Sequence, residues 1–343
     1  MIMKRLFLWL LVFSFVICSV PFLAHQARCE TIQLKMAHFM SPMHIQHRKS
    51  FVPFSKKVEE LTGGRVKIKI YPGGALGGPK QLPDAVTSGI TDIAFIIPSY
   101  TTGRFPHMSV MDLPFMVHSA LHATQVIYDL YDDYLAEDFK DYKVLWFYSC
   151  GTGQLHSVNK PIYEISDLHG MKMRAPSAYM SKALKLLGAN PVGMPISKLT
   201  ISLEKGVIDG MLTPYSAVKD FRLFDLVKYI TEVKMYVSSM AVVMNKQKFA
   251  SLPDFAKKAI DQAAGKQWGL HAARVYDQED QEVAQEIKRR GKITIIKLSD
   301  AKRQEFMQKL KVMQSDWVSE MSGKGLPAKK ILNAALKSAR ENE

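Results

Sequence analysis

"TIQLKMAHF", residues 31–39, alternates apolar and polar positions, the period of a half-buried strand. Residues 43–61 change to helical spacing and stop at Gly63-Gly64. "RVKIKIYP" (65–72) alternates again and is closed by Pro72-Gly73-Gly74. A short helix over 79–88 with Pro79 near its start, a buried strand over 91–97, a helix over 119–137 and a strand over 143–149 complete the first half. The second half repeats the pattern. Strand 171–175 leads to helix 177–187, ending at Gly188; strand 190–194 leads to helix 196–205, ending at Gly206; strand 207–212 follows. Helices alternating with short apolar strands predict an α/β layered fold. "SGITDIAF" (88–95) and "KGVIDGML" (205–212) both run Gly, two residues, Asp, then an apolar strand. In each, Gly suits a helix end and Asp turns the chain into a core strand, as expected of two lobes built from the same βα unit.

From Ser251 to Arg290 the pattern is helical throughout, with Ser251 as cap, Pro253 in the first turn and Gly291 at the end. Such a helix would extend about 55 Å. It is therefore predicted to lie along both lobes, with Gly265 and Gly269 as bending points. Strand 292–297 and helices 299–321 and 327–340 close the chain. No long linker or low-complexity segment occurs, so the chain is expected to pass between lobes more than once, which favours a hinge over a tether.

The first residues change the picture of where this fold would work. Lys4 and Arg5 precede an apolar stretch over 6–24, then a polar break, the pattern of a secretory signal peptide over residues 1–29. The competing reading is an uncleaved anchor, which Pro21 and the short span disfavour. Ala27-Arg28-Cys29 would place cleavage before Glu30; lipid attachment at Cys29 is disfavoured by Arg28 before it. Of Cys18, Cys29 and Cys150, only Cys150 would then remain, so a disulfide framework is excluded for the mature chain. The net charge is +14, and loss of Lys4, Arg5 and Arg28 lowers it to +11. The basic residues are dispersed rather than interleaved with aromatics. With export, this argues against nucleic acid and for a solvated surface that mildly attracts anions.

Several motifs invite chemistry and have a plainer reading. "YPGGALGG" (71–78) lacks the ending of a phosphate loop and reads as a turn. His38, His44 and His47 cluster in sequence, but no acidic or cysteine partner stands nearby, so loop and first-turn roles are expected and no metal is assigned. "CGTGQLHS" (150–157) holds Cys150 and His156 without a clear third group for nucleophilic catalysis; its Gly-Thr-Gly suits a hinge or a loop that a ligand approaches. In open α/β sheets the ligand crevice lies at the carboxyl ends of strands. That rule gathers Phe39 and Met40, Ser99 and Tyr100, Arg174, and Thr213-Pro214-Tyr215. Arg174 stands in "MKMRAP" (171–176), an apolar run, and a buried arginine needs a partner. That partner is either a carboxylate of the chain or a molecule from outside.

Residues 167–214, "DLHGMKMRAPSAYMSKALKLLGANPVGMPISKLTISLEKGVIDGMLTP", resemble the signature region of the extracytoplasmic solute receptors of TRAP (tripartite ATP-independent periplasmic) transporters. "YPGGALGG", "SGITDIAF", "DLPFM" (112–116) and "AVVMNKQKFASLP" (241–253) are further landmarks of the same resemblance. It implies a two-lobe periplasmic binding protein, type II-like, with hinge strands and a long helix along both lobes. Residues 30–150 and 240–280 would form lobe I, and 151–239 and 281–343 lobe II. It implies that Arg174 pairs with a ligand carboxylate, that Ile196 and Thr213 contact the ligand, and that membrane permease subunits receive it. No cofactor is implied. Two departures stand out. Many acid-binding members carry a second arginine where this chain has Gly153-Gln154, and Glu-Asn where it has Leu212-Thr213. With Met40, Met194, Met211 and Ile196 nearby, the expected ligand is a monocarboxylate with an apolar or aromatic body. Gln154 and His156 could supply other hydrogen bonds. A sensory receptor, or a periplasmic hydrolase using Cys150 or His156, are the rival readings.

Overall fold

The computed structural model describes residues 31–343; the signal-peptide reading for residues 1–29 lies outside the described residues. Eleven strands form two sheets among the described residues: β1 (Ile32–Ala37), β2 (Val66–Tyr71), β3 (Ile93–Ile96), β4 (Tyr142–Ser149), β5 (Gln154–Ser157), β6 (Lys172–Ala175), β7 (Asn190–Gly193), β8 (Gly210–Thr213), β9 (Tyr229–Glu232), β10 (Ser239–Asn245) and β11 (Thr294–Lys297). The first sheet runs β2-β1-β3-β10-β4, the second β11-β9-β5-β8-β6-β7. Pairs joined through helices are parallel, β1 with β2 and β3, β6 with β7 and β8. In the first sheet β10 is antiparallel to both neighbours, as is β5 in the second. This is the α/β, two-lobe architecture expected from the strand and helix grammar.

The repeated Gly-x-x-Asp has the same physical role in each lobe. Asp92 N–H donates to the Lys35 carbonyl at 3.1 Å, and its Oδ2 accepts the Lys35 N–H at 2.7 Å. Asp209 does the same to Lys172, at 2.8 Å in both directions. Each carboxylate thus completes the first rung between two parallel strands. That sets the register which brings the far strand ends together.

Of the segments that connect the sheets, Cys150–Gly153 and Val233–Ser238 pair with each other. Gly153 N–H donates to Tyr236 O at 2.7 Å, Met235 N–H to Gly153 O at 3.0 Å, and Cys150 N–H to Ser238 O at 3.2 Å. Directly after the Gly-Thr-Gly, residues 154–157 continue as β5. Strand β10 is buried at all seven positions and so shows no alternation to detect.

The continuous helix expected over 251–290 is two helices, Asp254–Ala263 and Gly265–Arg290, and Ser251 instead ends a short helix before them, Lys246–Ser251. Asn245 caps that short helix, its Oδ1 accepting Lys248 N–H at 2.7 Å, and the helix from Asp254 has no side-chain cap from Ser251. Gly265 has φ +82°, a left-handed conformation that only glycine adopts cheaply, and it breaks the run outright. The remaining long helix has 26 residues, about 39 Å. It holds both lobes through two acidic side chains less than one turn apart. Asp277 accepts the N–H groups of Ala120 and Leu121 at 2.8 and 2.9 Å, at the start of helix Ala120–Leu130 beside the first sheet. Asp280 accepts Ser216 N–H at 2.6 Å, at the start of helix Ser216–Asp220 after β8.

Residues 281–343, expected with the second lobe, divide. Strand β11 does join the second sheet. Trp317, however, is fully buried and donates Nε1–H to Ser109 Oγ at 2.9 Å, and Ser338 donates to Asp129 Oδ2 at 2.8 Å. The helices Val312–Gly323 and Ala328–Glu341 therefore pack on elements of the first lobe. Their apolar stripes fit either lobe equally well in sequence, so only packing decides.

Candidate ligand-binding site

Arg174 on β6 is 1% exposed. Its Nε donates to Met194 O at 3.1 Å, Nη1 to Leu212 O at 2.9 Å and Nη2 to Tyr100 Oη at 3.2 Å. A guanidinium has five N–H donors, so two remain. No carboxylate of the described residues lies within 4 Å of it. The side chain lines a cavity between the two sheets. A buried cation without a counter-charge is strongly unfavourable, so the arrangement calls for an anion in the cavity.

The groups around Arg174 are donors. Tyr100 Oη accepts from both Arg174 and the Ile196 N–H, the latter at 3.1 Å, which leaves its own proton unspent. Thr213 Oγ1 is buried with no partner among the described residues. Tyr236 directs its hydroxyl to Leu212 O at 3.1 Å. Burial pushes its pKa up, so it stays a neutral phenol. Tyr100 follows β3 whereas Arg174 and Ile196 belong to the second lobe, so this polar cluster also joins the lobes.

The walls are apolar and aromatic. Phe39, Phe95, Ile97 and Met240 face the cavity from the first lobe, Ile196 and Phe221 from the second, and Tyr276 from the long helix. The rings of Phe39 and Phe95 lie 5.4 Å apart, within the range for favourable aromatic contact. Gly153 explains one limit of this space. A Cβ there would overlap Cε1 of Tyr236. The volume that a side chain at 153 would need is filled by the Tyr236 ring.

Of the residues expected from the sequence, Arg174, Thr213, Phe39, Tyr100 and Ile196 come together in this cavity. Five do not line it. Gln154 is spent on the crossing segments, donating to Thr152 O at 3.0 Å and accepting from Lys234 N–H at 2.9 Å. His156 donates Nε2–H to Thr213 O at 2.9 Å from behind. Met211 packs in the second-lobe core with Leu199 and Ile230. Tyr215 donates to Glu232 Oε1 at 2.9 Å. Ser99 faces a neighbouring cleft that also contains Asp112. Sequence reasoning missed Asp220, Phe221, Tyr236 and Tyr276, which reach the cavity from a short helix, a crossing segment and the long helix. It read His44 only with its neighbours in sequence. In space His38 Nε2 and His47 Nδ1 meet at 2.9 Å while His44 turns to Asp220.

Cys150 is buried at the cavity, and burial pushes its thiol up to about 12. Its sulfur accepts Ser238 N–H at 3.2 Å. His156 is engaged with Thr213, and burial lowers its pKa to about 4. A neutral thiol and an imidazole bonded elsewhere lack the thiolate and the aligned base that nucleophilic catalysis requires.

Buried carboxylates give this chain a measurable pH signature. Burial alone pushes Asp112 up to about 7, with no compensating hydrogen bond or cation to lower it. The folded chain then holds a proton at Asp112 that the unfolded chain has released between about pH 4 and 7. Its contribution is most favourable below pH 4 and is lost as pH rises through 7. Asp112→Asn should therefore gain stability relative to the native chain as pH rises from 4 to 8, by up to about 4 kcal/mol. Denaturant unfolding at both pH values measures this, and an equal difference at each would refute it.

Residues 36–320 match the family model described as bacterial extracellular solute-binding protein, family 7. A TRAP solute binding protein from a marine metagenome, an unidentified microbe, is 34% identical and superposes with a TM-score of 0.87, covering 91% of this chain and 99% of its own. That protein is specific for aromatic acid ligands and holds metahydroxyphenylacetate. A TRAP solute binding protein from Rhodoferax ferrireducens T118, with copurified benzoate, is 32% identical at a TM-score of 0.87, covering 91% and 98%. The 2,3-diketo-L-gulonate-binding periplasmic protein of Escherichia coli K12 is 27% identical over 242 residues, 69% of this chain and 73% of that protein.

Proposed function

Since the chain belongs to the bacterial extracellular solute-binding proteins of family 7, the TRAP solute receptors, we propose that its ligand is an aromatic monocarboxylic acid held by Arg174. The observation that carries this is a fully buried arginine, without a carboxylate partner among the described residues, in a cavity with apolar and aromatic walls between two lobes. The two unspent N–H donors of Arg174, the Tyr100 hydroxyl and Thr213 Oγ1 suit a carboxylate's oxygens. Phe39, Phe95, Phe221 and Tyr276 suit a ring. Gly153 and the Tyr236 ring leave no place for a second cation, which argues against dicarboxylates. The aromatic acids bound by the two TRAP receptors at 34% and 32% identity agree with this chemistry.

The ligand would bind between open lobes and be enclosed as they close. Closure without an anion would bury an uncompensated cation, so the same arginine that captures the ligand also discourages empty closure. The closed receptor would then deliver its acid to the permease subunits that the family implies. Export by residues 1–29 would place this in the periplasm.

Two measurements test the reading together. Mass spectrometry of small molecules released from the purified protein should find an aromatic acid. Benzoate or phenylacetate at 100 times its Kd should stabilise the fold by about 2.7 kcal/mol, and succinate should leave the melting temperature unmoved. Stabilisation by succinate alone would overturn it.

A further inference from the structure

Beside Arg174 the cavity contains a second polar point, on His44 and Asp220. His44 follows β1 in the first lobe, and Asp220 ends the helix after β8 in the second. Both side chains are 4% exposed. Asp220 Oδ1 accepts Ile45 N–H at 3.1 Å, which fixes the carboxylate. Its Oδ2 has no hydrogen-bond donor among the described residues. His44 Nδ1 accepts Gln46 N–H at 3.2 Å, so the neutral ring carries its proton on Nε2. Burial, with His38, His47 and Arg48 adding to it, lowers the His44 pKa to about 3, so the ring is neutral at working pH. Nε2 approaches Asp220 Oδ2 at 3.3 Å without the alignment of a hydrogen bond. An imidazole donor and a carboxylate acceptor thus stand side by side, each buried and neither well satisfied.

We propose that this pair recognises a hydroxyl group on the ligand, Asp220 Oδ2 accepting its proton and His44 Nε2–H donating to its oxygen. The inference rests on the aromatic-acid reading and narrows it to hydroxylated acids. A hydroxyl is both donor and acceptor, so one group answers both needs. An ammonium only donates, and an ether or halogen only accepts. Phe221 and Tyr276 pack edge-on to the His44 ring at 5.9 and 6.2 Å, so the imidazole is held in place by its neighbours. Of the charged groups near Asp220, Glu279 raises its pKa and Lys219 and Arg48 lower it. With burial the net position is about 7, and either protonation state can share a hydrogen bond with a hydroxyl.

Calorimetry on the purified, dialysed full chain tests this with benzoate and phenylacetate, their 3- and 4-hydroxy derivatives, and the corresponding methoxy acids. At least one hydroxy acid should bind roughly 10- to 100-fold more tightly than its parent, and its methoxy analogue should lose that gain. In Asp220→Asn, which turns one oxygen into a donor, the ratio of hydroxy to parent affinity should fall towards one. A variant that merely weakened contact between the lobes would lower both affinities together and leave the ratio unchanged, and that result overturns the proposal. If the parent acids bind and no hydroxyl improves affinity in the native chain, the proposal fails while the aromatic-acid reading stands. If no aromatic acid binds, both fall. The comparison in the native chain decides the matter even if Asp220→Asn does not fold.

Discussion

Replacing Arg174 with alanine is expected to weaken aromatic-acid binding by about 3–5 kcal/mol, the cost of leaving a buried carboxylate without its partner. That loss is more than roughly a hundredfold in Kd. The fold should survive, because Arg174 is bonded to two carbonyls and a hydroxyl, which water admitted to the vacated space can serve in its place. The ligand-free chain should if anything melt higher, since an uncompensated cation has gone. Arg174→Lys keeps the charge but not the geometry. An ammonium cannot reach Met194 O, Leu212 O and Tyr100 Oη while presenting paired donors to a carboxylate, so it should bind nearly as poorly as alanine. Calorimetry with a confirmed ligand measures both, alongside thermal melts; native affinity in either variant would refute the role given to Arg174.

The second large effect concerns a residue with no side chain. Gly153→Arg should abolish binding of aromatic acids, because its Cβ already overlaps the Tyr236 ring. To fit, Tyr236 must leave its bond to Leu212 O, the same carbonyl that Arg174 uses. Strain of this kind costs about 1–3 kcal/mol in stability. Truncating the ring in the double variant Gly153→Arg, Tyr236→Ala should restore the melting temperature. It should also move ligand preference from benzoate towards succinate, since a second cation then faces the cavity. If Gly153→Arg alone binds benzoate normally, the ring does not fill that space as described.

Much of the fold was legible because local chemistry repeats it. Asp92 and Asp209 could be matched in sequence, and both close a rung between parallel strands. Arg174 was legible because an arginine in an apolar run demands a partner, and strand ends are where one arrives. What stayed hidden depends on contacts that sequence pattern does not encode. Asp220 looks like a helix-end acid until the fold brings it to His44, 176 positions earlier in the chain. Tyr236 lies in a segment without periodicity and gains its meaning only by standing on Gly153. Met211 and Tyr215 flank Thr213 in sequence, but packing carries both into the second-lobe core while Thr213 alone of the three lines the cavity.

The two acidic caps on the long helix have a mechanical consequence. Asp277 and Asp280 are less than one turn apart, about 4.5 Å along the axis, yet one steadies a first-lobe helix and the other a second-lobe helix. A motion that keeps both caps must treat that turn as a fulcrum, with displacement growing with distance from it. Tyr276, the residue before Asp277, lines the cavity. The ligand would therefore settle on a floor that stays still while the walls swing like lever arms, and its ring could be oriented before the enclosure is complete.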